Sequence, residues 1–230
     1  MFTLEQVVPW GRSFAEYSSM FALTDADINT RILGCGDGPA SFNAEATARG
    51  AIVISADPIY QWADEQILAR ITATYDDVLE QTRRNQDEFV WDSIGSVDDL
   101  GRVRMQAMRN FSSDYARGKS EGRYVCAALP SLPFDALSFD LALCSHFLFL
   151  YSSQLGETFH ADALDELCRV AHEVRVFPLL ALGGQLSPYV TSCAERLRAS
   201  GFSVSIERVP YEFQRGGNEM MRIRRESRVS

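Results

Sequence analysis

The chain has 230 residues, 46% of them hydrophobic and 23% charged. That leaves room for one sizeable domain with a buried core and excludes a disordered tail, a collagen or a disulfide miniprotein. The net charge of −9 sets the surface against phosphate backbones and anionic lipid headgroups, which disfavours nucleic acid and membranes as partners.

Read in chain order, the opening MFTLEQVVPWGRSF lacks a basic segment followed by an apolar one, so no leader is expected. From about residue 30, apolar runs of strand length alternate with helical patterns, the signature of β-α-β units around a parallel sheet. The expected strands are Thr30 to Leu33, Ala51 to Ala56, Arg123 to Ala127, Ser138 to Cys144 and Glu173 to Leu182. The fifth contains Pro178, which lacks a ladder donor and predicts a short or bulged strand. Pro39 to Arg49 reads as a helix with proline in its first turn and Gly50 at its stop.

Between Asp57 and Arg123 the chain spends about sixty residues where a parallel crossover needs one helix. Ile67, Ile71, Val78 and Leu79 form one helical stripe, and Leu100, Val103, Met108, Phe111 and Tyr115 another, with Trp91 between them. We read a single domain, 1-230, carrying a helical insertion at about 61-122 that either covers a ligand pocket or pads the core. Leu164, Leu167, Val170 and Ala171 mark an amphipathic helix, and Cys193 and Leu197 a further one stopped by Gly201. FSVSIERVPYEF and EMMRIRR around Gly216, Gly217 and Asn218 read as an antiparallel hairpin. Its arginines Arg222, Arg224, Arg225 and Arg228 read as a solvated sheet edge, in preference to an RNA contact.

Five cysteines, an odd number without a C-x-x-C pair, indicate reduced thiols and a cytoplasmic protein. The most apolar run, Phe139 to Tyr151, falls well short of the roughly 20 residues of a membrane helix. His146, His160 and His172 have no metal-ligand spacing, and Lys119 is the only lysine. Metal sites and Schiff-base chemistry are therefore not expected.

The chemistry-bearing segment is Leu33-Gly34-Cys35-Gly36-Asp37-Gly38-Pro39. A strand, a glycine turn and a helix start let backbone approach a ligand closely. Pro39 stands where the dinucleotide fingerprint wants glycine or alanine, which argues against an NAD(P)-dependent oxidoreductase. Asp57 closes the second strand about twenty residues on, where a carboxylate accepts the ribose hydroxyls of an adenosine.

On Gly34-Cys35-Gly36-Asp37-Gly38, Asp57, Leu132-Pro133-Phe134 and Ser138-Phe139-Asp140, the sequence resembles the class I S-adenosylmethionine-dependent methyltransferases over about residues 30 to 225. PWGRSF, LGCGDGPASFN and PYEFQRGGNEM further resemble a poorly characterised bacterial group. The resemblance implies a Rossmann-like, seven-stranded, mostly parallel sheet of order 3-2-1-4-5-7-6 with strand 7 antiparallel. It implies S-adenosyl-L-methionine as cofactor, contacted by Gly34, Cys35, Gly36, Asp37, Gly38, Asp57, Pro58, Ala128, Leu129 and Cys144.

Two positions depart from the family pattern. Ile32 replaces an acid before the first glycine and Ala128 an acid near the third motif. Asp37 can stand in for the first by meeting the methionine ammonium, and a backbone carbonyl near Leu129 for the second. Arg12 is a candidate partner of the methionine carboxylate, in a flap formed by Trp10 to Phe14 and Tyr17. The competing reading of that segment is an amphipathic helix on the sheet edge.

His146 follows the fourth strand on the ligand side and is the candidate general base for an alcohol, phenol or acid acceptor. Trp62, Phe89 and Trp91 are candidates for an acceptor wall, Glu212 and Arg215 for acceptor contacts. The expected activity is methyl transfer to a small-molecule or metabolite acceptor by a monomer or homodimer. The alternatives are a non-catalytic cofactor-binding protein and a tRNA or protein methyltransferase.

Overall fold

A computed structural model describes residues 8–225; Arg228 of the basic tail lies outside them. The strands are β1 (Arg31–Cys35), β2 (Ile52–Ala56), β3 (Tyr124–Val125), β4 (Phe139–Ser145), β5 (Ala171–Phe177), β6 (Phe202–Arg208) and β7 (Glu219–Arg225). They form one sheet of order β3-β2-β1-β4-β5-β7-β6. The first five run parallel, while β7 is antiparallel to both β5 and β6, with Val174 opposite Ile223 and Val204 opposite the same residue. The order expected from the resemblance is therefore the one observed.

Successive strand residues serve opposite faces, as the pleat requires. Leu33, Ala142, Cys144, Val174 and Val176 pack with α6 (Glu157–Val170) and α7 (Val190–Ala199). Ile32, Val53, Leu141 and Leu143 pack with α1 (Phe14–Met20) and α3 (Phe42–Thr47). Helix α1 starts in a capping box, Ser13 and Glu16 satisfying each other's backbone donors. It lies over the middle strands rather than at the sheet edge: Tyr17 stacks on Phe42 at 4.5 Å between ring centroids. A single helical turn, α2 (Asp25–Ile28), leads into β1.

Several expected boundaries move. Strand β1 runs through Gly34 into Cys35, because its neighbours β2 and β4 continue to offer parallel partners there. Helix α3 begins at Phe42, with Pro39 in the preceding turn. Strand β5 ends at Phe177, immediately before Pro178, as the missing N–H of proline dictates.

The long stretch after β2 holds α4 (Asp64–Arg84) and α5 (Val97–Ser120). Helix α5 packs against α3 and β3, the place of an ordinary crossover helix, and α4 packs on α5. The additional structure is thus α4 and the segment following it, a smaller unit than the whole stretch read from the sequence. Within α5, Val103 is 39% exposed and stands off the buried stripe. Among the described residues no helix is long and apolar enough to cross a membrane.

Candidate functional site

A cavity of about 640 Å³ opens beyond the carboxyl ends of β1, β2 and β4, within the range of roughly 300–1,000 Å³ typical of small-ligand sites. Open parallel sheets place ligands at this end, where neighbouring strands send their connections in opposite directions. Here β1 lies between β2 and β4.

One half of the cavity is built by the glycine turn. Gly36 (φ +70°) and Gly38 (φ +53°) hold left-handed backbone, and a Cβ at Gly38 would meet nothing within 4 Å. The turn therefore presents open backbone to the cavity, and a side chain there would fill the space a ligand needs. Asp57 faces it across β2: its Oδ2 accepts from Gly38 N–H at 2.8 Å and its Oδ1 from Ile59 N–H at 2.8 Å. Burial raises its pKa and these two donors oppose the rise. Each oxygen keeps a second lone pair for a ligand hydroxyl.

Lys119 Nζ and Tyr115 Oη donate to the Tyr60 carbonyl at 2.7 and 3.0 Å, so α5 secures the turn that follows Asp57. Tyr60 Oη in turn donates to Gly38 O at 2.8 Å.

Asp37 points back into the protein while remaining on the cavity wall. Its carboxylate accepts from Tyr17 Oη at 2.8 Å and Ser55 Oγ at 2.6 Å. Burial pushes it up to about 6 despite those donors, with the nearby Asp57 charge adding to the rise. A carboxylate so strained for charge compensation suits a cationic neighbour.

At the end of β4, Ser145 and His146 reach the same space. His146 has φ +51°, a left-handed conformation that costs a non-glycine residue about 1–3 kcal/mol and marks positions held by their surroundings. Its N–H donates to Phe177 O at 2.7 Å, and its Nδ1 lies 3.0 Å from Ser145 Oγ. Burial and then the Arg12 and Arg104 charges drive its pKa well below the ordinary value. The ring is neutral at physiological pH.

Arg12 lines the cavity from the amino-terminal side. Its backbone carbonyl accepts from Ser41 N–H at 3.0 Å, which seats the segment on the glycine turn. The guanidinium donates through Nη1 to Trp10 O at 3.0 Å, while its buried Nε has no hydrogen-bond partner among the described residues. Behind it, fully buried Arg104 of α5 pairs with Glu16 of α1, Nη1 to Oε2 at 2.6 Å. Tyr211 Oη donates to Glu16 at 3.1 Å. Burial works against the Glu16 charge, but Arg104 outweighs it and holds the carboxyl below its ordinary value.

The other half of the cavity is walled by the insertion and by the β6–β7 connection. Phe89 and Phe213 line it, their rings stacked at 4.8 Å. Val90 N–H donates to Phe213 O at 2.7 Å, and Arg215 N–H to Glu88 O at 2.9 Å. Trp62 also lines the cavity, whereas Trp91 stands behind, edge-on to Phe89 and Phe213.

Of the residues expected at the site, Arg12, Cys35, Gly36, Asp37, Gly38, Asp57, Pro58, Ala128, Leu129 and His146 line this one cavity. Two do not. Gly34 lies within β1, where it leaves room for the Asp37 carboxylate, and Cys144 points to the opposite side of the strand from the neighbouring Leu143, into the α6–α7 core. Glu212 is also off the cavity wall. It accepts from Gly216 N–H and Asn218 Nδ2 within its own turn. Arg215 donates to the Asp87 and Phe89 carbonyls, both at 3.1 Å, and is a fastener of the wall. The Ala128 carbonyl accepts from Ser131 N–H at 3.1 Å.

Sequence reasoning missed the Glu16–Arg104–Tyr211 cluster and Phe213. Their partners lie far apart along the chain, and the only trace was the capping-box spacing of Ser13 and Glu16.

No protein-family model matches the chain. It is 32% identical over 223 residues to the uncharacterized protein MJ0045 of the archaeon Methanocaldococcus jannaschii, a match covering 96% of this chain and 98% of that protein. The chain belongs to the family of that protein. Among solved structures, the mitomycin 7-O-methyltransferase MmcR superposes with a TM-score of 0.51 and 13% identity, covering 93% of this chain and 54% of MmcR. This chain thus spans about half of MmcR, and the likeness, with the observed strand order, shows the class I methyltransferase fold. Magnesium protoporphyrin IX methyltransferase (ChlM) from Synechocystis PCC 6803, crystallised with bound SAM, matches at a TM-score of 0.49 and 12% identity over 93% of this chain and 79% of ChlM.

Proposed function

We propose that this member of the MJ0045 family transfers a methyl group from S-adenosylmethionine to a small-molecule acceptor. The observation that carries the reading is the pairing of Asp57 with the open glycine turn at one end of a cavity that continues beneath the insertion. The residues present fit the cofactor. Gly38 leaves a space that a Cβ would fill, and the buried Arg12 Nε on the wall has no hydrogen-bond partner among the described residues. Asp37 is a buried carboxylate that accepts from two neutral hydroxyls, those of Tyr17 and Ser55.

In this reading Asp57 takes the ribose hydroxyls, the Gly36–Gly38 backbone lies along the cofactor, Asp37 meets its ammonium and Arg12 its carboxylate. Cys35, Pro58, Ala128 and Leu129 complete the contact surface. When bound, the group supplies a methyl activated by its sulfonium, the electron pair of the broken C–S bond staying on sulfur.

The protein's task is then to align the acceptor and exclude water. For an acceptor with a hydroxyl or acid group, His146 would take its proton: with Nδ1–H donated to Ser145 Oγ, the Nε2 lone pair is free to accept it.

Calorimetric titration of the protein with S-adenosylmethionine, S-adenosylhomocysteine and NADH, repeated on Asp57→Ala, tests the reading. The first two bind and the variant loses roughly tenfold or more in affinity, the scale of one lost hydrogen bond to a charged group. Binding of NADH alone, or of none by folded protein, overturns it.

A further inference from the structure

The cavity continues from Asp57 and the glycine turn to the insertion and the β6–β7 connection, and its walls change character on the way. On the cofactor side the lining carries Arg12, Asp37, Asp57 and backbone groups. The insertion and the segments around Phe89 and Phe213 add mainly apolar side chains, among them Ile67, Val78, Leu100 and Leu182, with a few polar ones, Arg70 and Glu88 included.

This far wall is not a loose loop. Residues 88–90 and 213–215 are joined as a small antiparallel bridge, with Phe89 opposite Gln214. Two backbone hydrogen bonds and the two bonds from the Arg215 guanidinium to the Asp87 and Phe89 carbonyls fasten it. Gln214 Nε2 donates to Ala181 O at 3.1 Å, tying the bridge to the segment after β5. Trp91 braces the stacked Phe89 and Phe213 rings from behind, at 6.0 and 5.5 Å between centroids. A wall held by backbone bonds across two distant segments keeps its shape without ligand, so the space in front of it is preformed.

We infer that this wall is an acceptor subsite for an apolar, ring-bearing small molecule, whose body lies against Phe89 and Phe213 and whose protic group is turned toward His146. The inference rests on the methyltransferase reading and deepens it by naming the substrate class. A mainly apolar wall suits the charged backbone of a nucleic acid poorly, since polar groups placed against it would lose their hydrogen bonds to water. A flat ring instead gains offset or edge contacts with both phenylalanines.

The test uses 2-naphthol as the probe, titrated into full-length protein saturated with S-adenosylhomocysteine, with a hexauridylate as the contrasting ligand. Wild type binds 2-naphthol. Phe213→Ala weakens it at least tenfold, Phe213→Leu less, and calorimetric affinity for S-adenosylhomocysteine stays unchanged in both. Phe213→Leu keeps the wall filled and so serves where the alanine variant fails to fold.

Wild type that binds S-adenosylhomocysteine but not 2-naphthol overturns the inference while leaving the cofactor reading standing. Equal 2-naphthol affinity in wild type and both variants overturns it as well, as does salt-sensitive binding of hexauridylate in place of the naphthol. Failure to bind S-adenosylhomocysteine at all removes the cofactor reading and this inference with it.

Discussion

The Asp37 carboxylate occupies the space that a side chain on Gly34 would need: a Cβ built on Gly34 would overlap Asp37 Oδ2. The first glycine of the motif thus serves the acid three positions later. Gly34→Ala forces Asp37 off Tyr17 and Ser55, and overpacking of this kind costs about 1–3 kcal/mol. Urea denaturation measures it. In Gly34→Ala/Asp37→Ala the clash is gone, so the double variant is less destabilised than the sum of the singles. Additive losses would show that the two residues act independently.

Asp37 also predicts a pH dependence. Its folded pKa of about 6 stands above the ordinary 3.8, so between those values the folded protein holds a proton that the unfolded chain has released. Stability from this group is fully present below pH 4 and is lost as pH rises through 6, by roughly 3 kcal/mol at 1.36 kcal/mol per unit. Other carboxylates, Glu16 and Asp27 among them, are shifted down and act oppositely, so the measurement is a difference. The stability of Asp37→Asn relative to wild type rises between pH 4 and 7; a constant difference refutes the assignment.

The same ionisation reports on the cofactor. If the Asp37 anion meets the ammonium, affinity for S-adenosylhomocysteine in wild type rises with pH through about 6 and levels off above it. Asp37→Asn flattens that profile. Identical profiles in the two proteins would separate Asp37 from the cofactor.

His146 is held neutral far below its ordinary range, so no loss of turnover from its protonation is expected between pH 7.5 and 6. With an identified acceptor and saturating cofactor, kcat stays level over that interval. His146→Gln lowers kcat by a factor on the order of 10²–10⁴, the usual worth of a general base. Unaltered turnover in the variant would leave the proton to solvent.

The Glu16–Arg104 pair joins α1 to α5 with Arg104 wholly buried. Removing one partner strands a buried charge, and Glu16→Ala is expected to cost about 3–5 kcal/mol in chemical denaturation. Glu16→Gln/Arg104→Met, which removes both charges, costs less than Glu16→Ala. A double variant at least as destabilised as the single one would mean that packing rather than charge dominates the site.

Much of the cavity around the glycine turn was legible because its residues are close in sequence and their types are dictated locally. The turn needs left-handed backbone at Gly36 and Gly38, a strand-end acid has one place to stand, and the strand-length runs of β1, β2 and β4 announce where those ends are. The sheet order followed from the family resemblance, not from periodicity. Cys144 stands off the cavity because motif membership does not say which way a strand residue faces. One residue of register turns a side chain from cavity to core.

The half walled by Phe89 and Phe213 was not legible. Trp62, Phe89 and Trp91 looked alike as aromatics of a helical insert, and only the fold separates the lining Phe89 from the bracing Trp91. Arg215 read as a ligand contact until its backbone partners around Phe89, more than a hundred residues earlier, came into view. By itself the sequence determined the alternation of elements, the glycine turn and the acid beyond it, since hydrophobic period, turn chemistry and capping act over a few residues. Tertiary structure alone decided that α5 is the crossover helix, that Glu16 meets Arg104, and that Phe89 and Phe213 share a wall. Those contacts exist only once packing has brought distant segments within a few ångströms, and no local preference encodes that distance.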